Sequence, residues 1–246
     1  ANADLINGGA GVDTASYYAS PDEVHVSLAT GAAHGGEAEG DLLALIENLS
    51  GSAKDDSLEG DAGSNGLWGN AGDDFLTGNE GNDRLYGNAG DDQLIGGKGA
   101  DLLDGGSGVD GADYFDSGKG VTVSLQTGTG SGGSAQGDTL HAIEDLGGSD
   151  HDDTLTGNGG ANHLRGNDGA DTLTGKGGND TLIGDTGNDT LVGGSGNDRL
   201  EGSDGADKLT GGSGADTFGY GDTVHSAPGF ADIIKKCALP VVGCSA

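Results

Sequence analysis

A period of nine residues constrains this chain more than any other feature. Written G-G-x-G-x-D-x-U-x, with U a large apolar residue, it runs through seven consecutive copies beginning at Gly51, Gly60, Gly69, Gly78, Gly87, Gly96 and Gly105. Eight more begin at Gly148, Gly157, Gly166, Gly175, Gly184, Gly193, Gly202 and Gly211. The sixth place is Asp in thirteen of these fifteen copies, with Asn65 and Asn162 as the others, and the eighth is Leu in thirteen, with Ala112 and Phe218 as the others. A half copy ends at Asn7, and a copy from Gly8 carries Asp13. A longer period lies above this one. Residues 12–60 match residues 109–157 without a gap, identical at 26 of 49 positions, so the chain is one spacer-plus-array unit written twice.

Composition alone would point elsewhere. Glycine supplies 55 of 246 residues, Asp plus Glu outnumber Lys plus Arg by 41 to 10, and the formal net charge is -31. High acidity with few aromatics marks a chain that stays solvated. Held phase over this distance argues against plain disorder, because internal repeats signal stacked units. Places seven to nine, as in Arg199-Leu200-Glu201, alternate polar, apolar, polar, which predicts a very short strand with one side chain turned inward. The first six places carry turn chemistry: glycines for close approach and Asx residues that bond locally to the backbone. The expected fold is all-β, a flattened solenoid with two nonapeptides to each coil and leucines stacked in a narrow core.

Such a core is thin. One buried Leu contributes about 1.5–3 kcal/mol, whereas ordering each residue's backbone costs about 1–2 kcal/mol. A hard divalent cation would supply the missing stability and neutralise the stacked acids. Calcium takes oxygen ligands, carboxylates and carbonyls, in tolerant geometry; magnesium demands a tighter octahedron. Zinc would want His or Cys, which the arrays lack at any regular place.

"GGSGNDRLE" at 193–201 and its companions resemble the RTX, or repeats-in-toxin, family of secreted bacterial proteins. The resemblance implies a right-handed parallel β-roll in which each calcium lies between one turn and the turn two repeats on. It implies ligation by Asp56, Asp74, Asp83, Asp92, Asp101 and Asp110 in the first array. In the second it implies Asp153, Asp171, Asp180, Asp189, Asp198, Asp207 and Asp216, with Asp13, Asn65 and Asn162 as weaker ligands. With two turns needed per ion, the seven- and eight-copy arrays offer at most about eleven calcium sites. It also implies secretion, by a type I route, and folding when calcium is met outside the cell.

The expected organisation is an array end at 1–13, a spacer of wider β-coils at 14–50, a first roll at 51–113, a second spacer at 114–147, a second roll at 148–219 and an aberrant cap or tail at 220–246. The chain opens midway through the pattern, so its true N-terminus is expected upstream. The spacers alternate like strands at 24–28 and 121–125. Segments 45–49 and 142–146 fit a helical turn or a bent strand, and Tyr17, Tyr18, Tyr114 and Phe115 are expected to pack there. Cys237 and Cys244 lie together in the tail, which reads either as a frameshifted or truncated end or as a short disulfide loop.

Acidity argues against nucleic acid or anionic membrane as partners, since both need basic patches. No apolar run is long enough to span a bilayer. H-E-x-x-H and a strand-to-helix G-x-S-x-G are absent, the six histidines are scattered, and no catalytic activity is expected. The expected state is a monomer. Two other readings use the same chain: the non-catalytic accessory module of a secreted alginate epimerase, protease or lipase, and an adhesin or extracellular polysaccharide- or ice-binding segment. A flat threonine face for the latter fails in sequence, since "TLT" at 154–156 and 172–174 gives way to "TLV" and "KLT".

Overall fold

The computed structural model describes residues 3–219 and the strand at 233–235. The expectations for the tail, Cys237 and Cys244 included, lie outside the described residues. The fold is an all-β parallel solenoid, and the chain divides into two units: residues 1–114 with 129–143, and residues 115–128 with 144–246.

Each nonapeptide forms one short strand, and successive copies alternate between two sheets. In the first unit one sheet runs through Ser57–Glu59, Phe75–Thr77, Gln93–Ile95 and Gly111–Asp113, and the other through Gly66–Ala71, Arg84–Ala89 and Leu102–Ser107. Pairing is parallel and in register, with Leu58 facing Leu76 and Leu67 facing Leu85. The second unit repeats this, with Leu155 facing Leu173 and Leu182 facing Leu200. The eighth-place leucines are buried: Leu76, Leu85 and Leu94 have 0% exposure. Alternation within a three-residue strand permits only one inward side chain, so the core is two columns wide.

The spacers are wider coils with a twist of their own. Strand Ala32–His34 runs antiparallel to His25–Ser27 and to Leu42–Ala44, and a short 3-10 turn, Gly36–Ala38, lies between. In the second spacer Thr129–Ser131 pairs antiparallel with Thr139–His141, after the same kind of turn at Gly133–Ala135. Both spacer strands adjoining an array are parallel to it: His25–Ser27 to Ser57–Glu59, and Thr122–Ser124 to Thr154–Thr156. Segment 45–49 is a bend into strand Asn48–Ser50, with Leu45 at φ 53. Tyr17 and Tyr114 are buried, at 5% and 1% exposure, but their neighbours Tyr18 and Phe115 stand out at 68% and 56%. Each pair lies just past a strand, Thr14–Ser16 or Gly111–Asp113, and the second aromatic of each falls in the exposed turn that follows.

On the outer surface of the first unit, Trp68 and Tyr86 stack from adjacent coils, ring centroids 5.6 Å apart and planes 9° from parallel. A Cβ at Gly66 would stand 2.6 Å from the Trp68 ring, so the glycine lets the indole lie flat.

Candidate metal centre

The sixth-place acids form continuous ladders. The backbone N–H of each donates to Oδ1 of the acid one coil later: Asp56 to Asp74 at 2.7 Å, Asp74 to Asp92 at 2.8 Å and Asp92 to Asp110 at 2.9 Å. On the other edge of the first unit, Asn65 donates to Asp83, Asp83 to Asp101 and Asp101 to the spacer's Asp138. In the second unit Asp153, Asp171, Asp189 and Asp207 form one ladder, and Asn162, Asp180, Asp198 and Asp216 the other. The predicted ligands thus stand in line, one coil apart, at the strand edges.

A β-ladder N–H needs one acceptor, and one carboxylate oxygen satisfies it. The second oxygen is the anomaly. Oδ2 of Asp74, Asp83, Asp92, Asp171, Asp180, Asp189, Asp198 and Asp216 is buried and meets no hydrogen-bond donor among the described residues, and the same holds for Asp13. Buried polar atoms are ordinarily satisfied, and each lapse asks for an explanation. Burial also pushes the free acids toward neutrality. Desolvation raises Asp74, Asp83 and Asp171 to about 7, and Asp180 and Asp189 to about 6, against the lowering effect of the N–H each accepts. Carboxylates on neighbouring coils push the same way, as Asp92 and Asp56 do on Asp74.

Oxygen crowds this edge. A Cβ at Gly78 would meet Oδ2 of Asp83 and the carbonyl oxygen of Gly96, each at 2.5 Å. First-place glycine is therefore a requirement of space. No cluster of three or more His, Cys, Asp or Glu side chains that could hold a metal forms among the described residues. An ion here would take one carboxylate from a turn and complete its shell with backbone carbonyls. Hard oxygen donors with surplus negative charge fit calcium and suit neither zinc nor copper.

The fifteen turns fall into two kinds. From the third copy of each array onward, the second and fourth places are both left-handed, as at Asn79 (φ 76) and Gly81 (φ 127). The first two copies of each array lack this conformation at both places. They close on themselves instead. Ser52 N–H and hydroxyl donate to Asp56, and Ser149 does the same for Asp153, so both oxygens of these two acids are occupied. Asp56 and Asp153 also take the N–H of Val24 and Val121 from the spacers, at 2.7 and 2.6 Å. Asn65 Oδ1 accepts from Asp61 N–H, and its Nδ2 donates to the Glu47 carbonyl; Asn162 accepts from Asn158 and donates to the Glu144 carbonyl. Sequence reasoning passed over this division although a signal was present. The fourth place is glycine in every copy except the two array openers, which carry Lys54 and His151.

The spacers hold two further acids that periodicity did not flag. Asp41 and Asp138 are buried, at 4% and 2% exposure, and each accepts a tyrosine hydroxyl, from Tyr17 and Tyr114 respectively, at 3.2 Å. Burial raises the Tyr17 hydroxyl's pKa further above its ordinary value, and the charge of Asp41 adds to it.

The model of the RTX calcium-binding nonapeptide repeat matches residues 1–15, 44–76, 77–112, 147–182 and 183–218, well over half of the chain. The chain belongs to this RTX repeat family. The RTX match covers residues 51–112 and 148–218 of the two arrays and leaves out most of both spacers, 16–43 and 113–146. No curated protein matches the chain. The RTX repeats make it a calcium-binding module, of a kind typical of secreted bacterial proteins. No helix among the described residues is long and apolar enough to cross a membrane.

Proposed function

We propose that this RTX module is a folding switch read by calcium. Where calcium is scarce, the arrays stay open because their stacked, buried acids repel. Outside the cell, calcium binds the folded roll alone, and mass action draws the chain into it. The ligands in this reading are Asp74, Asp83, Asp92, Asp101 and Asp110 in the first unit. In the second they are Asp171, Asp180, Asp189, Asp198, Asp207 and Asp216, each lending a carboxylate oxygen from the same edge. Asp13 supplies another from the turn that precedes the first spacer. The observation that carries the reading is the row of buried carboxylate oxygens without donors. Affinities of about 10⁻⁴–10⁻³ M suffice for an extracellular module. Secretion through a type I route suits a chain exported unfolded, and the module would serve a larger secreted protein as its non-catalytic part.

Circular dichroism through a calcium titration tests this. The expected result is a cooperative gain of β signal in millimolar calcium and its loss in EGTA. Equal order in both conditions would overturn the proposal.

A further inference from the structure

We propose that each spacer, together with the two turns that follow it, is a metal-independent seed on which the calcium-dependent coils assemble. The seeds are residues 14–68 in the first unit and, in the second, the part of the spacer that belongs to that unit with the two turns after it, 115–128 and 144–165. The inference rests on the calcium-driven folding proposed above and adds where that folding begins and in which direction it travels.

Three independent features carry it. First, the ladder acids of these segments are already satisfied. Asp56 receives the Ser52 N–H and hydroxyl and the Val24 N–H, and Asp153 receives the same set from Ser149 and Val121. Within the first seed Asp41 takes the Tyr17 hydroxyl on one oxygen, and its other oxygen takes the N–H of Asp4 from the array end that precedes the seed. Here protein donors do what calcium is proposed to do further along.

Second, the two departures from aspartate are functional. Asn65 must donate to the Glu47 carbonyl, at 2.8 Å, and Asn162 to the Glu144 carbonyl, at 3.0 Å. A carboxylate cannot donate when ionised, so Asp at either place would set oxygen against oxygen. The two asparagines are stops that free their turns from the need for an ion. They are not weakened calcium sites. The turn backbone agrees: Ser52, Asp61, Ser149 and Asn158 accept the fourth-place N–H in local side-chain turns, at 3.1, 2.7, 3.2 and 2.7 Å. None of the four turns needs the left-handed pair of the later copies.

Third, the first seed has the core to stand on. It buries Tyr17, Val24, Val26, Ile46 and Leu49 in addition to its repeat leucines, whereas the array beyond it buries little more than one leucine per nonapeptide. Since the seed lies on the N-terminal side of each array, assembly runs from the seed toward the C-terminus. Each new coil then finds a ladder of acceptors and donors already set.

Hydrogen exchange read by mass spectrometry on the full chain separates the outcomes. In EGTA, peptides within 14–68 and 144–165 should exchange slowly, and those within 78–110 and 175–219 at the rate of an open chain; calcium should protect all of them. Full exchange everywhere in EGTA with protection in calcium would overturn the seeds while leaving the switch intact. Protection everywhere in EGTA would overturn both. Asn65→Asp gives a second, opposite-signed reading. If Asn65 were a weakened calcium site, restoring the consensus acid would lower the calcium midpoint of folding. The seed model expects a several-fold rise in that midpoint and loss of protection across 14–68 in EGTA, while calcium in excess still restores the roll. A lowered midpoint would overturn the proposal.

Discussion

A carboxylate with one oxygen in a ladder and the other left over is a group with two possible fates, protonation or ligation. Burial in the roll pushes Asp74, Asp83 and Asp171 up to about 7, against roughly 3.9 for aspartate in an open chain. An acid whose folded pKa is raised holds its proton more tightly when folded. Its contribution to stability is complete below the unfolded value and is lost as pH rises through the folded one. In chelator, therefore, ordered β content should grow as pH falls from above 7 toward about 4; a flat response across that window would contradict the burial of these acids. In calcium the sign reverses, because protons and calcium compete for the same oxygen, and the calcium midpoint should climb on acidification. Asp92→Asn isolates the charge. It keeps an oxygen for the Asp74 N–H, now at 2.8 Å from Oδ1, and removes the anion. The expected outcome is a higher calcium midpoint and a smaller number of bound ions by native mass spectrometry.

At the scale of single elements, array strands and spacer coils are stabilised by different means. Each array strand turns one large apolar side chain into the core, so Leu85→Ala removes the core leucine of its turn; the loss should be about 2–5 kcal/mol in the calcium-loaded state, read by denaturant unfolding. In the spacer, Tyr17→Phe keeps the ring and deletes the hydroxyl that reaches Asp41. One buried carboxylate oxygen is then left without that donor, at a cost of about 1–3 kcal/mol, and calcium should not restore it. These elements also mark how far the sequence was legible. The nine-residue period fixed the strands, the alternation of sheets, the leucine columns and the line of acids, since each depends only on spacing. The period could not show which acids have two protein donors, because those donors come from outside the repeat: Val24 for Asp56, and the Glu47 carbonyl for Asn65. Nor could it show that Thr122, from the spacer, continues the column Thr154, Thr172, Thr190, because that needs the register of a strand 32 residues away in its ladder bond. Even so, Lys208 ends that column and Val192 interrupts the one beside it.

At the scale of the molecule, the duplication in sequence and the division into units do not coincide. The second spacer is divided: residues 115–128 belong to the second unit, while 129–143 belong to the first. The two units are thus interleaved along the chain, and one cut cannot separate them without damage. A piece beginning at 144 loses strand Thr122–Ser124, buried Val123, and the Val121 N–H that Asp153 accepts. Compared over a calcium titration, residues 115–219 should fold at a lower calcium concentration than residues 144–219. Equal midpoints would mean that the spacer strand contributes nothing to the second roll. Both should still outnumber in acids what they carry in bases, so both should show a midpoint that rises with added monovalent salt, as screened charges do. The Trp68–Tyr86 stack has a bearing on all such measurements. The chain has one tryptophan, and it sits on the last coil strand of the first seed, with its ring against a tyrosine from the next coil. That contact exists only when the array has docked, so the indole emission and the near-ultraviolet signal of the unlabelled protein form a natural optical gauge placed at the joint where the first calcium-dependent coil is added.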